Sequence, residues 1–453
     1  MKFPEKILLL YGYHRGTTAS SLDKALRKRV AVFSVGPGHV ATETSFGCEE
    51  TTSIQEILAN LASLESPFVP EVVCVIESGV RFFPEGLEES PLPCWYYALD
   101  PHFNLHWQIE YAKLFNVVFV SFQQYLKSFL KTGHAGIHWL PHGFDADHYR
   151  DFGTPRDIDI AFVGDMNPET RPLRVKHLNA LREAGFQTLF TEGIWNEEVA
   201  RLYSRAKLVF NDNDTQVLNP RNFEGSACGA VVLANPAISL EEFFTPGQNI
   251  LIYHDTGELL RFCREMKRHP DRWQEISRQA KRVAAVNSWD VRVERMMAIV
   301  AGLATEKQVV FTQPDRIKAH AFVYFHREMP GQTITLLERL QQDGFRDLEI
   351  FLIKALAYMS RDYYDHAARE LHALLELTPP PDPNYLQQIS DVLIGTFERT
   401  RHVPGALRTA LALPKPSFSQ QQRLARILAD ARADIPRAVA DKLGIAPSRR
   451  DTD

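Results

Sequence analysis

Twice along this chain, short apolar and β-branched runs alternate with amphipathic helical patterns, and the second series starts where the first stops. The first series is KILLLYG, RVAVFSVG, EVVCVIESG, CWYYALD, NVVFVSF and GIHWLPHG, with SIQEILANLASL as an amphipathic helix. Its first strand is expected over Ile7 to Tyr11. Strands that alternate with helices are joined by crossovers, which makes them parallel and covers both sheet faces with helices. In the second series DIDIAFVGD is a strand ending in Gly164, RPLRVKHLNALREAGF a helix stopped by Gly185, and NEEVARLYSRA a helix. KLVFND, GAVVLANP and QNILIYH are strands, and the chain is helical from Thr256 through SWDVRVERMMAIV. The spacing therefore predicts an α/β fold with two sheet domains, 1–145 and 146–310, facing each other across a cleft and joined near Pro141 to Asp145. The cleft outside the carboxyl ends of parallel strands is where such folds bind ligands.

After about residue 310 the strand signals stop and a period appears. Ile317, Ala321 and Tyr324 recur 34 positions later as Phe351, Ala355 and Tyr358, and Leu337 and Leu340 recur as Leu371 and Leu374. Ala367 and Pro379 add the small crossing residue and the terminating proline of a tetratricopeptide hairpin. Lys354 stands where that pattern prefers Leu, and a third unit keeps only Tyr385, Ile389 and Val392. An all-α, tetratricopeptide-like region over 316–446 is expected, a plain helical bundle being the other reading.

Composition narrows the function. A chain of 453 residues exceeds one core, and 45% hydrophobic content suits packed domains. The net charge of -5 argues against nucleic-acid binding. No run approaches the ~20 apolar residues of a bilayer span, and the opening MKFPEKILLLYGYHRG has too short an apolar run for a signal peptide. Cys48, Cys74, Cys94, Cys228 and Cys263 fit neither a disulfide framework nor a zinc site, so a cytoplasmic location is expected.

One segment asks for a ligand. In NPRNFEGSACGAVVLANP an Arg, a Glu and glycines crowd into a link before an apolar strand. Together with Tyr203, Ser204, Ala206, Lys207 and Asn211, the residues Arg221, Phe223, Glu224, Ala227, Cys228 and Gly229 resemble the nucleotide-binding half of group 1 glycosyltransferases with two facing Rossmann-like domains, the GT-B fold. The branch typified by spore maturation glycosyltransferases is the most similar. The resemblance covers residues 155 to 300 well, the first domain loosely and the tail not at all.

The resemblance implies a nucleotide-diphosphate sugar as donor. Glu224 would accept hydrogen bonds from both ribose hydroxyls, and Arg221 with backbone N–H groups from Asn222 onward would meet the diphosphate. Phe223, Asn211, Tyr203 and Lys207 belong to the same donor motif. Gly225 would let backbone approach the ligand, while Gly229 ends a short helix before the strand. Gly164 and Arg171 would lie by the phosphates; Arg174 is equally explained as a solvated helix charge. The EGIW stretch is a candidate for the base. Gln216 stands where the family often carries a sugar-contacting Glu.

Asp100 and His102, in CWYYALDPHFNLHW, resemble an Asp-x-His at a first-domain strand end and are the catalytic candidates, with His106 as an alternative. Gly12, Arg15 and Gly16 occupy a loop opening a helix, suited to donor or acceptor contacts. His142 and Gly143 would fix interdomain geometry. Asp212 and Asp214 form an Asp-x-Asp, but Arg and helix dipole can replace a cation, so no metal and no cofactor are expected. A protein docked by the helical tail is one reading of the acceptor, and self-association is an alternative use of that tail. Two other functions stay open: an epimerase or phosphorylase on the same fold, and a non-catalytic scaffold.

Overall fold

The computed structural model describes residues 3–213, 216–302, 311–375, 390–391, 394, 417–430 and 437–444. It divides into one compact unit through Val310 and another from Phe311. Both expected sheets are present in the first unit, and the described elements of the second are helical.

The first sheet contains β1 (Lys6–Leu10), β2 (Ala31–Val35), β3 (Ser45–Phe46), β4 (Val72–Ile76), β5 (Cys94–Ala98), β6 (Val117–Val120) and β7 (Ile137–Trp139). All pairs are parallel, in the order β3-β2-β1-β4-β5-β6-β7. β4 and β5 are buried along their whole length, as strands covered on both faces must be. The first strand runs one residue earlier than expected, and Tyr11 beyond it donates its hydroxyl to Asp23 at 2.8 Å.

The second sheet contains β8 (Ile158–Val163), β9 (Thr188–Thr191), β10 (Ala206–Asn211), β11 (Val231–Ala234) and β12 (Leu251–Ile252), parallel in the order β12-β11-β10-β8-β9. The chain leaves β8 toward one edge and β10 toward the other, so the switch point of this sheet lies between their carboxyl ends.

The helix Trp289–Gly302 returns to the first sheet. Trp289, Val293, Met296 and Val300, on one face of that helix, pack among Ile7, Leu9, Leu22 and Tyr97. Its first N–H donates to the Phe144 carbonyl at 3.0 Å. A Cβ at Gly143 would lie 2.7 Å from the same nitrogen, so only glycine lets the two chain segments touch.

In the second unit the helices Gln313–His326 and Pro330–Gln342 bury Ile317, Ala321, Leu337 and Leu340. The helices Leu348–Met359 and Tyr364–Leu375 bury the corresponding Phe351, Ala355, Leu371 and Leu374. Further helices span Phe418–Asp430 and Arg437–Leu443. Pro379, Tyr385, Ile389 and Val392 lie outside the described residues. Among the described residues no helix is long and apolar enough to cross a membrane.

Candidate functional site

A cleft of about 640 Å³ opens where the carboxyl ends of the two sheets meet. On the second-sheet wall, β8 is followed by Gly164 at φ +148, where a Cβ would lie 3.0 Å from Arg221 Nη2. β10 ends in Asn211, fully buried, which locks the neighbouring loop. Its Oδ1 accepts from Arg221 Nη1 at 2.9 Å and Asn219 Nδ2 at 3.1 Å, while its Nδ2 donates to Asn213 and Asn222. Arg221 Nη2 donates to the Val163 carbonyl at 2.9 Å, and the guanidinium lies 5.1 Å from the Phe162 ring centroid. The arginine is thus fixed before any ligand arrives, with some of its five N–H donors still uncommitted.

Glu224, within the helix Arg221–Ala227, lines the cleft beside Tyr149 and Tyr203. Burial raises its carboxyl to about 7, against the opposing charge of Arg221. Tyr203 takes a further hydrogen bond from Arg221. Arg171 caps the helix Pro172–Glu183 and sits 3.6 Å from Asp165. Arg174, one turn in, is buried: its Nε meets Asp212 Oδ2 at 3.2 Å and its Nη1 donates to the Asp165 carbonyl at 3.0 Å. Arg171, Arg174 and Arg221 all line the cleft.

On the first-sheet wall, Asp100 caps the helix Pro101–Tyr111 and His102 follows it. His102 Nδ1 is 3.9 Å from Asp100 Oδ1 and makes no hydrogen bond among the described residues. Burial raises the Asp100 carboxyl, with His102 opposing, and lowers the His102 imidazole, with Asp100 opposing. Glu77 sets this segment by accepting from Asn104 Nδ2 at 2.6 Å and from Gln108 Nε2. His142 also lines the cleft, its imidazole lowered to about 3 by burial and by the neighbouring His102 and Arg292. Gly16 closes the wall: at φ +76, its Cβ would lie 2.9 Å from Trp195 Cε3 on the opposite domain.

The structure gathers Asp100, His102, Gly16, Gly164, Arg171, Tyr203, Arg221 and Glu224 around this one cleft. Asn211 supports it from beneath. Other expected site residues fall elsewhere. Phe223 is fully buried, its ring 5.3 Å from Phe244 and 5.5 Å from Phe243, on the helix face turned toward the core. At Gly225 a Cβ would lie 2.9 Å from Val232, so this glycine lets the helix approach the sheet rather than a ligand. Lys207 is near the start of the central strand β10, at the amino-terminal end of the sheet away from the cleft, paired with Asp159 at 2.7 Å. Gly12 donates its N–H to Ser78 Oγ at 3.1 Å and packs on Val80. Arg15 lines a neighbouring hollow with Asp23 and Lys24.

The backbone donors expected from Asn222 onward are already engaged: Asn222, Phe223 and Glu224 donate to the carbonyls of Asn219 and Pro220. Arg221 N donates to Asn219 Oδ1 at 3.1 Å. The positive charge on this wall is that of Arg171, Arg174 and Arg221. Gln216 is exposed with φ 57, and Asp214 is outside the described residues. Arg174 is buried rather than solvated, and the hydrogen-bond network that joins Asn211 to Asn213, Asn219, Asn222 and Asn235 has no sequence signal beyond the density of asparagines between NDNDT and LANP.

Among solved structures, sucrose-phosphate synthase from Thermosynechococcus elongatus aligns with 66% of this chain and 99% of its own, at 12% identity and a TM-score of 0.48. Anabaena HepE in complex with UDP aligns with 66% of this chain and 100% of its own, at 14% identity and a TM-score of 0.49. The pneumococcal O-GlcNAc transferase GtfA aligns with 67% and 100%, at 8% identity and a TM-score of 0.46. No curated protein sequence matches the chain. Over residues 157–298, which hold β8 to β12 and the arginines of the cleft, the chain matches the family model described as Glycosyl transferase-like.

Proposed function

We propose that this protein is a glycosyltransferase that moves a sugar from a nucleotide-diphosphate sugar to an acceptor. The observation that carries the reading is the convergence of Arg171, Arg174 and Arg221 with Glu224 on one wall, facing Asp100 and His102 on the other. Guanidiniums already held by Asn211, Val163 and Asp212 need no reorganisation when charge develops on the leaving nucleotide. They supply the counter-charge that a metal provides in other transferases, so transfer is proposed to be metal-independent. Glu224, ionised, accepts from two ribose hydroxyls, and the EGIW stretch, Glu192 to Trp195, which lines the same cleft, is proposed to hold the base. His102, kept neutral by burial, is suited to receive a proton from the acceptor hydroxyl.

The helical unit is proposed to be tetratricopeptide-like and to dock a protein acceptor, in a cytoplasmic protein. Titration with UDP, GDP and their nucleosides tests the core of the proposal. Diphosphates should bind far better than nucleosides, and sugar should pass from a bound donor to an added acceptor. Absence of binding by every nucleotide diphosphate would leave a non-catalytic scaffold as the better description.

A further inference from the structure

Lys207 lines a second cavity, of about 180 Å³, at the amino-terminal edge of the second sheet. Its walls are apolar: Phe186, Leu208, Cys263, Met266, Pro270 and Trp273. None of these lines the cleft. The rim is charged. Asp159 accepts from Lys207 Nζ at 2.7 Å, Lys267 Nζ at 3.3 Å and the Gln187 N–H at 3.1 Å. Two ammonium groups share one carboxylate, so the rim carries a surplus positive charge.

The walls are held in place. Trp273 Nε1 donates to the Lys207 carbonyl at 2.5 Å, and the Arg156 guanidinium covers the Trp273 ring at 5.3 Å. Arg156 is itself pinned by the carbonyls of Tyr203, Ala206 and Cys228 and by Asp151. Its charge is therefore spent within the protein, whereas Lys207 and Lys267 keep side chains 40% and 56% exposed.

We propose that this cavity binds a small aromatic carboxylate, its ring among Phe186, Leu208, Met266 and Trp273 and its carboxylate at Lys207 and Lys267. The volume suits one ring, since an apolar cavity of about 150 Å³ takes up benzene. The carboxylate stays at the half-exposed rim and escapes the cost of full burial. Lys267 lies 6.0 Å from the Phe186 ring centroid, which places the ammonium over the wall that the ligand ring would extend.

The test uses the full chain with benzoate as probe and benzamide as its uncharged counterpart, read by calorimetric titration and by the Met266 methyl resonance. Benzoate should bind saturably and shift that resonance, with benzamide roughly tenfold weaker. Lys267→Met removes the surplus charge and should abolish the preference for benzoate. Asp159→Asn increases the surplus and should tighten benzoate while leaving benzamide unchanged. Thermal melts of each variant separate lost binding from lost folding. A Met266 methyl unmoved by benzoate, or a benzoate preference that survives in folded Lys267→Met, overturns the assignment.

Discussion

Arg174 Nε lies 3.2 Å from Asp212 Oδ2, tying the first turn of the helix Pro172–Glu183 to the residue that follows β10. The pair turns what looked like a surface helix charge and half of a metal motif into one fixed piece of the cleft wall. Asp212 is further engaged, accepting from Asn235 Nδ2 at 3.0 Å. Arg174→Ala strands that carboxylate and should cost about 3 kcal/mol in stability, the low end for a buried pair broken on one side. Affinity for nucleotide diphosphates should fall much more than affinity for nucleosides. Adding Asp212→Asn should recover stability but not affinity, as denaturant melts and titrations will show.

With Glu224 as the proposed ribose ligand, nucleotide binding should depend on pH. Its folded-state pKa is raised from 4.5 to about 7, so the folded protein holds the proton more tightly than the unfolded chain. The resulting stability is fully present below 4.5 and is lost as pH rises through 7. Donor binding runs the other way, because only the carboxylate accepts from both ribose hydroxyls, and affinity should rise as pH passes about 7. Glu224→Gln should flatten both profiles and weaken nucleotide binding by roughly 1.5–3 kcal/mol. An unchanged affinity for UDP and GDP in that variant removes Glu224 from the site.

His102→Ala should leave donor affinity intact, since the residue lies on the wall opposite the arginines. Turnover should fall by roughly 10²–10⁴-fold, the contribution of a general base. Full turnover in this variant would transfer the role to Asp100 or another group of the first domain.

In the helical unit Lys354 is buried, with Glu370 Oε1 at 3.0 Å, Gln341 Oε1 at 2.6 Å and Glu338 Oε1 at 3.6 Å. Lys354→Met leaves Glu370 without its counter-charge and should destabilise the unit by roughly 3–5 kcal/mol. The double variant Lys354→Met with Glu370→Leu should return close to the parent, because a buried ion pair replaced whole by apolar groups costs little. A loss in the double variant equal to the sum of the losses in Lys354→Met and Glu370→Leu alone would show that the charges act independently.

Removal of the chain beyond Val310 separates the proposed roles of the helical unit. If that unit recruits the acceptor, the shortened protein should fold, bind nucleotide diphosphate and slowly hydrolyse donor, yet lose transfer to its native acceptor. Transfer at the full rate would end the docking proposal.

Six strands of the first sheet were legible because β4, β5 and their neighbours are buried on both faces and read as unbroken apolar runs. β9 was not: Thr188–Thr191 is a half-buried edge strand of four residues, too short and polar to carry a period. β3, of two residues, offers no pattern at all. The donor motif was legible as a set, but adjacency in sequence does not mean adjacency in space. Lys207 and Asn211 stand at opposite ends of one strand, and Phe223 and Glu224 on different faces of one helix turn. Arg174 was misjudged because helical spacing does not say which neighbour a charged residue meets.

The chain passes between the two sheets twice, at Gly143–Phe144 and at Ser288–Trp289, and these crossings touch: Trp289 N donates to Phe144 O at 3.0 Å. Two covalent passages joined side by side behave as a single pivot. Any rotation of one sheet domain against the other has to bend the torsions of both passages together. A side chain forced in at Gly143, one residue from His142 of the cleft wall, would push these two passages apart at Trp289.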